Sequence, residues 1–202
     1  MDHSELTRLI TKVRSMTASR RIIIFGSTSL LGAFPDCSPA KLGVEVTLDA
    51  DIFLDPDDAS VRALLVEQFG ADRSYHGEHG RYADFVDFRA SGPFPSGWQS
   101  RLIPLPGLDN VFVLDPIDVA ANKLIACAQA RVAKRLGRRE EDRGTKDIDT
   151  VAALIGSGLI DASLVEQRLA GLDFENAVMA EATTVFRQTI VQSERVRRTV
   201  DH

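Results

Sequence analysis

Apolar residues recur at three- and four-residue intervals near the start of the chain. Leu6, Leu9, Ile10 and Val13 predict an amphipathic helix over residues 4–18, with Ser4 placed to cap its first turn. The period then changes. Ile22 to Phe25 is a short, wholly apolar run of β-formers that stops at Gly26-Ser27. It predicts a buried strand with a tight exit turn, followed by the first turns of a helix from Ser27 to Ala33. Residues 34–43 collect prolines, polar breakers and a glycine, and predict a loop. From Val44 to Leu54 apolar and polar positions alternate. A second strand is expected there, with Val46, Leu48, Ala50 and Ile52 on one face and Thr47, Asp49, Asp51 and Phe53 on the other. Asp55-Pro56-Asp57-Asp58 ends it and opens a helix to Phe69. A third strand is expected over Tyr82 to Arg89. A proline- and glycine-marked connection over 93–106 leads to a fourth, short strand at Val111 to Leu114. Beyond Asp115-Pro116 only helical periods remain, to about Leu136 and then over 144–155, 162–170 and 176–198. The expected fold class is α/β (α+β). A small mixed sheet flanked by helices occupies residues 1–114, and a helical subdomain packed on that core occupies 115–202.

The alternation has a chemical consequence. Side chains two apart in a strand share a face, so Asp49-Ala50-Asp51 sets two carboxylates side by side. Like charges that close repel, and no Lys or Arg stands nearby in the strand to offset them. A hard divalent cation, Mg²⁺ or Mn²⁺, would. The plain structural alternative is a pair of solvated acids on an exposed edge. Gly26-Ser27, at a strand-to-helix turn, offers backbone N–H groups to a phosphate; the plain alternative is a tight turn. Asp87, in the third strand, would complete a ligand set for two metals, with Asp84, three residues earlier, facing the opposite side or lying at the strand's edge. Lys123, in the apolar sequence VAANKLIACA, would pack its stem and point its ammonium at an anion such as a nucleotide phosphate; the plain alternative is a Lys snorkelling from a mostly buried helix. Asp147 and Asp149 open a helix, where acids favour the helix dipole.

Composition narrows the classes. The chain has 202 residues, a net charge of -5 and two cysteines, Cys37 and Cys127. A large duplex-binding surface is not indicated, although the segment 131–146 is locally basic and the last helix ends in Arg195, Arg197 and Arg198. Two scattered cysteines form neither a zinc motif nor a disulfide framework. His76 and His79 in YHGEHGRY are read as part of a polar turn, because they lack the helix that would align a zinc pair. Phe94 and Trp98 suit either stacking on a base or plugging a core. No run approaches membrane-spanning length and no signal peptide is read, so a cytoplasmic protein without a membrane partner is expected.

A strand ending in Gly26-Ser27, then Asp49-x-Asp51, then an acid in a later strand resembles the polymerase-β-like nucleotidyltransferase superfamily. The helix Asp115-Pro116-Ile117-Asp118-Val119-Ala120-Ala121-Asn122-Lys123-Leu124, the segment Lys146-Asp147-Ile148-Asp149-Thr150-Val151 and Thr47-x-Asp49-x-Asp51 resemble motifs of the AbiEii-type nucleotidyltransferases, the toxins of type IV toxin–antitoxin pairs. Here Glu45 stands where that motif carries Arg, Lys146 replaces an Arg, and the 21 residues between Ser27 and Asp49 exceed the usual gap. The resemblance covers about residues 20–155. It implies a nucleotidyltransferase fold and the metal-dependent transfer of a nucleotide from a nucleoside triphosphate to an acceptor hydroxyl of RNA, such as a tRNA end, or of a protein, with an antitoxin protein as partner. It implies Asp49, Asp51 and Asp87 as metal ligands and catalytic residues, Gly26, Ser27 and Lys123 as nucleotide contacts, and Asp147 as a positioning residue or base. Two alternatives stand beside it: a non-catalytic nucleotide- or protein-binding module on the same fold, and an aminoglycoside-type enzyme with a small-molecule acceptor.

Overall fold

Asp2, rather than the expected Ser4, caps the first helix. The computed structural model describes residues 1–17, 19–45, 47–87, 94–138 and 145–200. Its helix α1 spans His3–Met16. The Asp2 carboxylate accepts from the Glu5 N–H, and the Glu5 carboxylate accepts from the Asp2 N–H. This reciprocal box satisfies two N-terminal donors. Leu6, Leu9, Ile10 and Val13 are all fully buried, as their spacing predicts. Asp2→Ala is expected to lower stability by about 1 kcal/mol, read as a shift of the urea midpoint without a change of slope.

Two compact units are present. The first comprises Met1–Pro39, Val44–Gly92 and Gln99–Asp115; the second comprises Ala40–Gly43, Pro93–Trp98 and Pro116–His202. In the first, β1 (Arg21–Phe25) leads into α2 (Gly26–Ala33), followed by β2 (Asp49–Asp55), α3 (Ala59–Phe69), α4 (Ser74–His79), β3 (Tyr82–Phe85), β4 (Ile103–Pro104) and β5 (Val111–Val113). The strands form one mixed sheet in the order β3-β2-β1-β5-β4. β1 runs antiparallel to β2 and parallel to β5; β2 runs parallel to β3; β4 runs antiparallel to β5. β1 has a neighbour on each side, and Ile22, Ile23 and Ile24 are buried. This explains why its sequence is a continuous apolar run rather than an alternating one. α3 starts at Asp58, whose carboxylate accepts from the N–H groups of Ser60 and Val61.

The second strand is shorter than its alternation suggests. Val44 N–H bonds to the Pro39 carbonyl and Thr47 N–H to the Val44 carbonyl, so the chain turns here and pairs as a strand only from Asp49. The face assignment before Asp49 therefore fails: Leu48 is 44% exposed and Thr47 is 3% exposed. Val46 lies outside the described residues. Phe53, expected on the carboxylate face, is buried, so β2 is covered on both faces beyond Asp51. β3 ends at Phe85 rather than Arg89, and residues 88–90 lie outside the described residues. β4, two residues inside an expected loop, sits at the sheet edge, where Pro104 lacks only an N–H that need not pair. The segment bearing His76 and His79 is the short helix α4 rather than a turn, closed by Gly80 in the left-handed conformation.

In the second unit α5 (Pro116–Arg135), α6 (Lys146–Gly156), α7 (Ala162–Ala170) and α8 (Asn176–Val200) pack on one another. Small residues permit close approach. Ala120, Ala121 and Ala128 of α5 are fully buried. At Gly156 an added Cβ would stand 2.7 Å from the Ser193 carbonyl oxygen of α8. Charges inside this unit are paired. Asp118, with no exposed surface, accepts from Arg168 Nη1 at 3.0 Å, and Lys123 is bound to Asp147. No helix among the described residues is long and apolar enough to cross a membrane.

Candidate metal centre

The register of three strands builds the site. β1 ends opposite the start of β2, with Phe25 paired to Asp51. β2 runs parallel to β3, with Asp49 opposite Tyr82 and Asp51 opposite Asp84. Directly paired residues on neighbouring strands share a face, and so do residues two apart along one strand. Asp49, Asp51, Tyr82 and Asp84 therefore stand on one face, while Ala50 and Ala83 turn into the core. One carboxylate oxygen from each of Asp49, Asp51 and Asp84 lies within 4.8 Å of the others. Asp49 and Asp51 are half-buried and Asp84 is exposed.

Gly26 closes one side of this group. Its φ is +66°, and a Cβ built on it would overlap Asp51 Oδ2. Only glycine lets the backbone come so near the carboxylate while holding a left-handed turn. α2 begins at this residue, with Phe25 as its N-cap and no side chain capping its first turn. The Thr28 hydroxyl donates to the Asp49 carbonyl and the Ser29 hydroxyl to the Gly26 carbonyl, which fasten the start of α2 to β2. Gly26→Ala is expected to cost about 1–2 kcal/mol through the backbone conformation alone. It is also expected to weaken divalent-cation binding, because Asp51 must move. Chemical denaturation and a Mn²⁺ titration read the two effects separately.

The electrostatics are those of a crowded anionic site. Among the described residues neither Asp49 nor Asp84 forms an ion pair with Lys or Arg. Partial burial of the carboxyl end of the otherwise exposed Asp84, and then the charge of Asp49, push it above its ordinary value. Burial, and then the charges of Asp49, Asp84, Asp51 and Asp72, push the Tyr82 phenol up. The part of each shift that comes from neighbouring carboxylates marks a place where another negative charge is unwelcome. Three hard oxygen donors fit Mg²⁺ or Mn²⁺ and suit softer metals poorly.

Of the residues singled out in the sequence, Gly26, Asp49 and Asp51 come together. Ser27 is the next residue of α2 and is half-buried. Asp87 lies two residues past the end of β3 and is not in the carboxylate group; Asp84 is. The three-residue spacing from Asp87 puts Asp84 on the opposite face or at the strand's edge, and Asp84 is the one that joins the group. The period that joins Asp49 to Asp51 also joins Tyr82 to Asp84, but only the pairing to β2 shows that the two sets share a face. Lys123 and Asp147 meet inside the second unit, Nζ to Oδ1 at 2.6 Å, with 10% and 13% of their side chains exposed. Asp149 accepts a hydrogen bond from Gln192. Trp98 is buried and packs on Phe94 at 5.1 Å between ring centroids, in the manner of a core plug. His76 Nδ1 accepts from the Asp72 N–H, and the His76 ring lies 5.0 Å from that of Tyr82.

No protein-family model matches the chain, and comparison with curated proteins and with solved structures yields no significant match.

Proposed function

We propose that the chain is a Mg²⁺-dependent nucleotidyltransferase of the polymerase-β-like type, in which Asp84 takes the place that the sequence pattern gave to Asp87. One observation carries the reading. The start of a helix whose first turn has no side-chain cap adjoins a triad of carboxylates through the Gly26–Asp51 contact. Free N–H groups suit the phosphates of a nucleoside triphosphate, and clustered carboxylates suit the cations that accompany them.

In this reading Asp49, Asp51 and Asp84 would hold the metal. Bound there, Mg²⁺ supplies charge neutralisation for the triphosphate and for the oxygens entering and leaving phosphorus. The N–H groups of the first turn of α2 and the Ser27 hydroxyl would grip the phosphate tail and fix its direction. Gly26, by lacking a side chain, lets the first turn of α2 come close against the Asp51 carboxylate. The acceptor hydroxyl oxygen forms a bond to the α-phosphorus as the α–β phosphoanhydride bond breaks and pyrophosphate leaves, with the hydroxyl proton released to solvent. Lys123 and Asp147 bind each other as a nearly buried ion pair within the second unit. The acceptor in this reading is RNA, such as a tRNA end, and an antitoxin protein would be the natural inhibitor.

Calorimetry with each of the four nucleoside triphosphates, with and without Mg²⁺, tests the first half. Transfer of an α-labelled nucleotide to RNA tests the second. Metal-dependent binding of at least one triphosphate is expected. A folded protein that binds none of them would reject the reading and favour a non-catalytic module.

A further inference from the structure

The outer face of α8 carries a second feature that the carboxylate site leaves unused. Arg187, Arg195 and Arg198 are exposed on this helix. At 3.6 residues per turn they fall within about 80° of one another, and at 1.5 Å per residue they span about 16 Å along the axis. Among the described residues no acid forms an ion pair with any of them, nor with Arg197. The contrast lies within the same helix pair, where Glu181 of α8 accepts from both Arg131 and Arg135 of α5. From Arg187 to Val200 the helix holds four arginines and one acid, Glu194, in a chain whose net charge is -5.

Helix-end electrostatics account for part of this. Arginines in a last turn favour the negative end of the dipole. Arg187 lies more than three turns from that end, so the dipole does not explain it. Nor does a lipid surface suit the face. Between the arginines stand the exposed acid Glu194 and the single exposed apolar side chain Val191, 55% exposed, with Thr183 and Thr184 in the turn before Arg187, whereas an interfacial helix needs a bulky apolar stripe opposite its charges. What the face offers is a row of guanidiniums without apolar anchors, each able to fork onto phosphate oxygens.

We infer that this face of α8 docks the phosphate backbone of RNA. The choice of RNA rests on the proposed nucleotidyl transfer; the charge complementarity does not. Three contacts of this kind bind without reading sequence and weaken steeply with salt. They would hold an RNA acceptor on the protein whether or not a triphosphate is present.

The test is fluorescence anisotropy of labelled bulk tRNA with the full chain between 50 and 300 mM KCl. The variant is Arg187→Gln/Arg195→Gln/Arg198→Gln, which keeps helix propensity. The comparison variant is Arg62→Gln/Arg73→Gln, whose parent arginines are paired on the first unit. The triple variant is expected to bind at least about tenfold more weakly, with the log–log salt slope reduced by about 2–3. The comparison variant is expected to bind as the parent does. An unchanged slope in the triple variant, no tRNA binding by the parent at 50 mM KCl, or tighter binding to duplex DNA or to anionic vesicles would each overturn the inference. Circular dichroism confirms that the exposed substitutions leave the fold intact. An Asp49→Ala/Asp51→Ala variant should retain the full salt slope, which separates failure of this inference from failure of the metal site.

Discussion

Asp49→Ala/Asp51→Ala is expected to abolish Mg²⁺-dependent triphosphate binding and to lower nucleotide transfer by about a thousandfold or more, equal to about 4 kcal/mol of lost transition-state stabilisation. The physical reason is the donor count. With both residues gone, Asp84 alone remains of three mutually close carboxylates, and one exposed carboxylate cannot compete with water for a hard cation. The fold is expected to survive. Ala50, Ile52, Phe53 and Leu54 make the core contacts of β2 and are left in place, and removing two like charges relieves repulsion. The metal-free parent should report that repulsion through pH. Asp84 is held above its ordinary value by burial and then by Asp49. The folded chain thus keeps a proton there that the unfolded chain has already released. Stability should fall as pH rises from the ordinary carboxylate range through Asp84's raised value, and then level off. Saturating Mg²⁺ should remove that fall, and Asp49→Ala should reduce it. Urea unfolding across pH, with and without Mg²⁺, measures both. A variant that still binds a triphosphate with Mg²⁺ dependence would place the metal elsewhere.

Lys123→Met is expected to destabilise the second unit by about 3–5 kcal/mol, with a fall in Tm on the order of 10 °C. Lys123 and Asp147 are 10% and 13% exposed and stand 2.6 Å apart. Truncating the lysine leaves a carboxylate in a site with little water and no opposite charge. Removing both charges is a milder change: Lys123→Met/Asp147→Leu should recover most of the loss, since an apolar pair of similar volume needs no desolvation. The same pair answers a question of function. If Lys123 served the triphosphate directly, the double variant would lose triphosphate affinity even where its stability returned. Unchanged affinity in a stable double variant is the result expected of a pair that serves the packing of the helices alone. A Lys123→Met variant as stable as the parent would show that the surrounding helices let water reach Asp147.

What the sequence revealed of this architecture depended on how local the cause was. Leu6, Leu9, Ile10 and Val13 declare a helix by themselves, and so do Ile22 to Phe25 as a buried strand, because each pattern is complete within one element. The side-by-side placement of Asp49 and Asp51 needs only the two-residue period of a strand. The third carboxylate needs more. Asp84 joins the group through the parallel pairing of β3 with β2, and the residues between those strands include α3 and α4. No window along the chain contains both sides of that pairing. β4 fails the local test for a different reason, since two residues cannot show a period. The start of β2 was overextended because Val44 to Leu48 alternates without pairing; its hydrogen bonds go to a turn instead. The helix cap at Asp2 illustrates the limit at shorter range. Ser4 and Asp2 are both good capping residues, and the choice falls to Asp2 because only there does Glu5 reach back to complete the box.

The division of the chain carries a consequence for how such a protein can be inherited. The second unit is threaded from three stretches, and its residues 40–43 come from the midst of the first. That short loan is built in: the Thr150 hydroxyl of α6 donates to the Gly43 carbonyl, and an added Cβ on Gly43 would press on the Thr150 backbone at 3.0 Å. A gene segment ending at Asp115 would carry away this loop, and a segment beginning at Pro116 would leave a buried threonine hydroxyl without one of its acceptors. Recombination at the apparent border between sheet and helices therefore separates α6 from a segment it is built against. Lineages of this fold should exchange it whole, and drift in the loop at 40–43 should track changes in α6 rather than changes in the sheet that flanks it in sequence.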